Sequence, residues 1–194
     1  MAEQPLRPLS DVELYVGLLG DPHGGGGDVA QQWLLAHPDE AHPELLRRLE
    51  AGEGNPYAVL ALLPRFGRGE AVPALERVLQ GGSESLASAA GAALAAHPSP
   101  AAKDALERCL TSPRWETAAA AADGLMARGD PSVCPGLEAV LSHPHPTARY
   151  HLVQAAARLG CLGREDLQAL GREDPEAEVR ALCERLLGAV SPEG

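Results

Sequence analysis

Apolar positions along this chain recur as leucine pairs four residues apart. Leu14/Leu18, Leu45/Leu49, Leu75/Leu79, Leu106/Leu110 and Leu137/Leu141 return every 30 or 31 residues, with a looser copy at Leu167/Leu170. A four-residue spacing puts both leucines on one face of a helix. A fixed period of about 20 to 50 residues marks a stack of small structural units, none able to bury its apolar face alone. Between the leucine pairs run second apolar segments rich in alanine, such as Thr117–Ala122. Each period therefore reads as two helices. The pattern predicts an all-α protein, an α-solenoid of about six helix pairs.

Local signals divide the periods. Ser10-Asp11-Val12-Glu13 has the form of a capping box opening the first helix, which the pattern ends at Gly20-Asp21-Pro22. Gly24–Gly27 reads as a loop, with Asp28 capping the next helix up to His37-Pro38. The later pairs are 43–51 with 56–66, 71–80 with 84–96, 101–111 with 114–128, 132–142 with 147–160, and 164–171 with 175–190. Pro43 and Pro56 suit a first helical turn, whereas Pro64 should kink or end its helix. The expected organisation is a tail over 1–8, the repeat array over 9–190 and a tail over 191–194.

Composition supports helices and narrows the partners. Aromatic residues are 3% of the chain, so residues that favour strands are scarce. The 27 acidic residues outnumber the 16 basic ones, for a net charge of -11. Such a balance repels nucleic-acid phosphates and anionic membranes. No apolar run reaches the about 20 residues that cross a bilayer, and the first residues lack a basic segment before an apolar one. Cys109, Cys134, Cys161 and Cys183 form no C-x-x-C; Cys109 and Cys183 occupy apolar helix positions. The expectation is unpaired thiols and a cytoplasmic, reducing location.

Glu178-Val179-Arg180-Ala181-Leu182-Cys183-Glu184-Arg185-Leu186-Leu187-Gly188 resembles the second helix of a HEAT repeat, in the short form found in phycobilisome lyases. Ala148-Arg149 with Ala155–Gly160 is a looser copy, and Ala71–Leu79 is similar to that family's first helix. The resemblance is sharp over 71–190. It implies a bacterial-type, curved right-handed superhelix with second helices on the concave side, and no single activity.

Candidate contact residues lie on the second helices. Glu116, Arg149 and Arg180 share one column, which admits an inter-repeat ladder or a charged groove. Tyr57 and Trp115 share the preceding column with Leu86, Ala148 and Val179, so core packing competes with ligand contact there. Gln32 and Trp33 sit near the N-terminal end, where one repeat face has no neighbour, and Tyr150-His151 follows Arg149. The candidate partner-binding set is Gln32, Trp33, Tyr57, Trp115, Glu116, Arg149, Tyr150, His151 and Arg180.

Other chemistries find little support. His143, His145 and His151 cluster in sequence without a carboxylate among them, and metal sites need three or four converging ligands. The remaining His-Pro pairs read as punctuation between helices. The His-Glu pairs of the di-iron deoxyhypusine hydroxylases are absent, as are a nucleophile elbow and a P-loop. The expectation is therefore a non-catalytic scaffold, adaptor or regulator that binds another protein, with no metal, cofactor, nucleic acid, small molecule or membrane insertion. Two alternatives accompany it: an acidic inhibitor or immunity protein for a basic toxin or nuclease, and a bilin-lyase-like chromophore-handling subunit.

Overall fold

The computed structural model describes residues 9–19 and 26–189; the tails and the Gly20-Asp21-Pro22 stop lie outside them. Among the described residues the regular structure is helical, in six successive helix pairs. They are α1 (Asp11–Leu18) with α2 (Gly26–Ala36), α3 (Pro38–Ala51) with α4 (Pro56–Leu62), and α5 (Ala71–Gly81) with α6 (Glu84–Ala96). Then follow α7 (Pro100–Cys109) with α8 (Trp115–Arg128), α9 (Cys134–Glu138) with α10 (Pro146–Arg158), and α11 (Arg164–Glu173) with α12 (Ala177–Ala189).

The leucine column is the spine of the stack. Leu45, Leu75, Leu106 and Leu137 are fully buried, each with a repeat on either side; Leu167 of the last pair is buried as well, in a cluster with Val153, Val179, Leu182 and Cys183. Leu14 occupies the same column in α1 and is 47% exposed, having no repeat before it. Each buried leucine contributes about 1.5–3 kcal/mol, which offsets the cost of nucleating helices this short.

Helix ends follow local chemistry. Ser10 and Glu13 form the expected capping box, the Ser10 N–H donating to Glu13 Oε2 at 2.8 Å. Pro64 ends α4, and Leu63–Phe66 tighten into a 3₁₀ turn. Two expectations need correction. Helix α2 starts at Gly26, so Asp28 sits inside its first turn, where its charge suits the positive helix end, and is not the cap. Pro38 takes the first-turn position of α3, leaving Pro43 inside that helix.

The fifth pair departs from the others. The expected helix over 132–142 shrinks to a 3₁₀ turn at Pro131–Val133 and the five residues of α9. Pro131, Pro135 and Gly136 account for this, since proline removes amide donors and glycine costs chain entropy. Cys134 of α9 is bonded to Cys161, just beyond α10, in a disulfide. That corrects the expectation of unpaired thiols for this pair. Cys109 and Cys183 are free and buried.

The two layers differ in spacing. The second helices α6, α8 and α10 press together more closely than the first helices do. Gly91 and a run of buried alanines, Ala118–Ala122, let the backbones approach. Leucine and arginine side chains hold the first helices further apart. The second helices thus form the more tightly packed of the two layers.

Candidate interaction surface

Basic residues fasten one repeat to the next. Arg48 donates to the Glu13 carbonyl at 3.1 Å, and Arg108 pairs with Glu76 at 2.7 Å. Arg77 pairs with Glu50, and Lys103 reaches Asp130 at 3.2 Å and Ser132 at 2.7 Å. Hydrogen bonds from the backbone and hydroxyl of Ser132, and then from Lys103, hold the Asp130 carboxyl down at about 2. Arg114 donates to the carbonyls of Gln80 and Gly82, and Arg128 to those of Leu94, Ala95 and His97.

The ladder geometry accounts for Arg149 and Arg180. Arg149 is buried, with Nε and Nη2 on the two Asp174 oxygens at 2.8 and 2.9 Å. Its Nη1 donates to the carbonyls of His143 and Pro144. Arg180 repeats the device on the carbonyls of Asp174 and Pro175. Hydrogen bonding from Arg149 keeps the Asp174 carboxyl below its ordinary range. Arg149 thus directs four hydrogen bonds to acceptors within the protein. Arg180 leads the same internal life at lower burial.

Histidines add a second inter-repeat device. In His97-Pro98-Ser99-Pro100, Nδ1 of His97 accepts from the Ser99 N–H at 3.1 Å. Nε2 must therefore carry the proton, and it lies 3.2 Å from the Arg68 carbonyl of the previous repeat. His143-Pro144-His145-Pro146 does the same: Nδ1 takes the His145 N–H, and Nε2 reaches the Ser112 carbonyl at 3.0 Å. His145 caps α10 by accepting from the Thr147 N–H, and His151 binds Asp123. The three clustered histidines hold three separate jobs. His42 differs again: it is buried against the edge of Phe66 and its Nε2 finds no partner among the described residues. Burial, helped by Arg68, pushes its pKa down.

The other candidates divide between internal contacts and open surface. Trp33 is sandwiched, with Tyr15 at 4.5 Å on one side and His37 at 4.0 Å on the other. Trp115 stacks on His145 at 5.0 Å, and Glu116 stands 3.8 Å from Arg114. Gln32 and Tyr57 are exposed. Tyr150 and His151 line a cavity of ≈ 420 Å³ between α10 and α12, with Thr147, Glu176, Glu178 and Val179. The Tyr150 hydroxyl accepts from Arg185 at 3.0 Å. His151 Nδ1 is 2.9 Å from Asp123 Oδ1, and that bond, aided by Glu84, raises the imidazole pKa.

Sequence reasoning missed several members of the open face. Ser85, Ser88 and Ala92 are exposed along α6, spaced as one helical stripe, and Gln154 continues the stripe of His151 on α10. Asp123 was legible as the charge that ends the alanine run of α8.

Residues 108–188 match the family model of HEAT repeats. The chain carries HEAT repeats over this stretch, and the same helix pairing continues through the pairs before it. Among solved structures it is similar to the complex of CpcE and CpcF of phycocyanin lyase from Nostoc sp. PCC7120, at 20% identity and a TM-score of 0.46. That alignment covers 98% of this chain and 81% of the other. The curated proteins include no match. No helix among the described residues is long and apolar enough to cross a membrane.

Proposed function

We propose that this protein is a HEAT-repeat scaffold that binds a partner protein along its second-helix layer. The observation that carries the reading is a division of labour. The first-helix layer spends its leucines on stacking and its basic groups on neighbouring repeats. The second helices leave an open face on which Tyr57, Ser85 and Ser88 are exposed and Asp123, His151 and Gln154 are half-buried, Tyr57 at 47% exposure. Repeat arrays characteristically use extended concave surfaces for binding.

Charge favours a second, narrower version. With the arginines tied to internal acceptors, Glu84, Asp123 and Glu178 set the sign of this face, which suits an inhibitor of a basic protein.

Affinity purification from the native host with mass spectrometry tests both. A recurrent partner lost on Tyr57→Ala with Gln154→Ala, at unchanged helicity, is the expected result. A basic partner released by salt would favour the inhibitor. A coloured preparation would favour chromophore handling, and a partner insensitive to these substitutions would overturn the reading.

A further inference from the structure

The shortening of α9 leaves a groove in the first-helix layer between the fifth and sixth pairs. One lobe, ≈ 430 Å³, is lined by Glu138, Leu141, Pro144, Leu170 and Glu173 over the buried Arg149–Asp174 pair. The other, ≈ 350 Å³, continues between Glu138, Leu141, Leu162, Asp166 and Leu170 beside Cys161. Glu138, Leu141 and Leu170 belong to both lobes, so the two form one groove.

The charge pattern separates this groove from the other first-helix junctions, and its floor is apolar. Leu79 and Leu110, the second leucines of the third and fourth pairs, are buried, whereas Leu141 falls in the turn after α9 and stays half-buried, as Leu49 does in the second pair. Leu170 is half-buried opposite it. The groove walls thus present half-buried leucines. The charge pattern changes. At earlier junctions Arg77 meets Glu50, Arg108 meets Glu76, and Lys103 meets Asp130. Here Glu138 lines one side while Asp166 and Glu173 line the other, a carboxylate rim around an apolar floor.

We propose that this groove is a docking site for a basic, leucine-bearing helical segment of a partner protein. The segment's leucines take the place of the missing turns of α9, against Leu141, Leu162 and Leu170. Its arginines or lysines meet Glu138, Asp166 and Glu173, supplying the cross-junction charge pairing found at the other repeats. The surface lies in the opposite layer from the second-helix face, so it stands or falls separately from the scaffold reading.

The test uses a short synthetic helix-forming peptide with leucines four apart flanked by arginines, and the same peptide with glutamates replacing the arginines. Each is titrated into methyl-labelled full-length protein and followed by nuclear magnetic resonance. The arginine peptide is expected to shift the methyls of Leu141, Leu162 and Leu170 saturably, and the glutamate peptide to leave them unmoved. Glu138→Lys with Glu173→Lys should weaken binding by about tenfold or more, while the equal charge change Glu40→Lys with Asp104→Lys should leave it within about twofold. Equal loss from both double variants, or shifts centred on Val59 and Leu94 instead of the groove, would overturn the proposal.

Discussion

Gly124 of α8 lies against the carbonyl oxygen of Gly91 in α6, where a Cβ on Gly124 would come within 2.9 Å of that oxygen. The contact is reciprocal in effect, because a Cβ on Gly91 would meet the Ala120 carbonyl oxygen at 2.6 Å. Backbone, not a flexible side chain, blocks Gly91, so neighbouring helices must separate to admit a methyl group. Gly91→Ala should therefore destabilise by about 1–3 kcal/mol despite alanine's better helix propensity. Gly17→Ala, with open space around its Cβ, should not. Thermal and urea unfolding of the two variants check this.

The Arg149–Asp174 pair should act as the rivet of the last two repeats. Asp174→Asn leaves a buried guanidinium without its counter-charge, a change of about 3–5 kcal/mol in stability. Because the Asp174 carboxyl titrates lower folded than unfolded, its contribution is present above its ordinary pKa and lost as pH falls through the depressed value. The wild type should thus lose stability on acidification below about pH 4, and Asp174→Asn should lose less over that range. Arg149→Glu should cost helicity before it changes any partner's affinity. Circular dichroism against pH decides.

Position in the stack should set the cost of losing a leucine. Leu106→Ala empties a site closed from both sides and should cost about 2–5 kcal/mol. Leu14→Ala removes a half-open side chain from the same column and should cost under about 1 kcal/mol. Urea denaturation that ranks Leu14 above Leu106 would break the stacking account.

Reduction should matter for folding. The Cys134–Cys161 bond closes a segment of 27 residues holding the shortest described α-helix. Opening it should remove about 3–4 kcal/mol and lower Tm, with Cys134→Ser matching the reduced protein. Chelation with EDTA should leave Tm unchanged.

How far the sequence reached depended on the range of the interaction. The leucine column, the Ser10 box and the Pro64 stop rest on local spacing, and all are present as read. The HEAT resemblance over 71–190 overlaps the matched stretch 108–188. Arg149 stood between ladder and groove because its partner, Asp174, sits 25 residues away, beyond the rest of α10 and the whole of α11, where local pattern does not determine the path of the chain. The disulfide was illegible for the same reason, as its cysteines meet only once α10 turns back on α9. The shortness of α9 had a visible cause in Pro131, Pro135 and Gly136, which the strength of the Leu137/Leu141 repeat outweighed.

The most direct test of the central claim is photo-crosslinking in the native host. A benzoylphenylalanine is placed singly at Ser88 or Gln154 on the second-helix layer, and at Asp104 or Arg77 on the first, away from the groove beside α9. The account predicts one shared partner adduct from Ser88 and Gln154, and none from Asp104 or Arg77. Adducts from Asp104 and Arg77, with Ser88 and Gln154 silent, would contradict it.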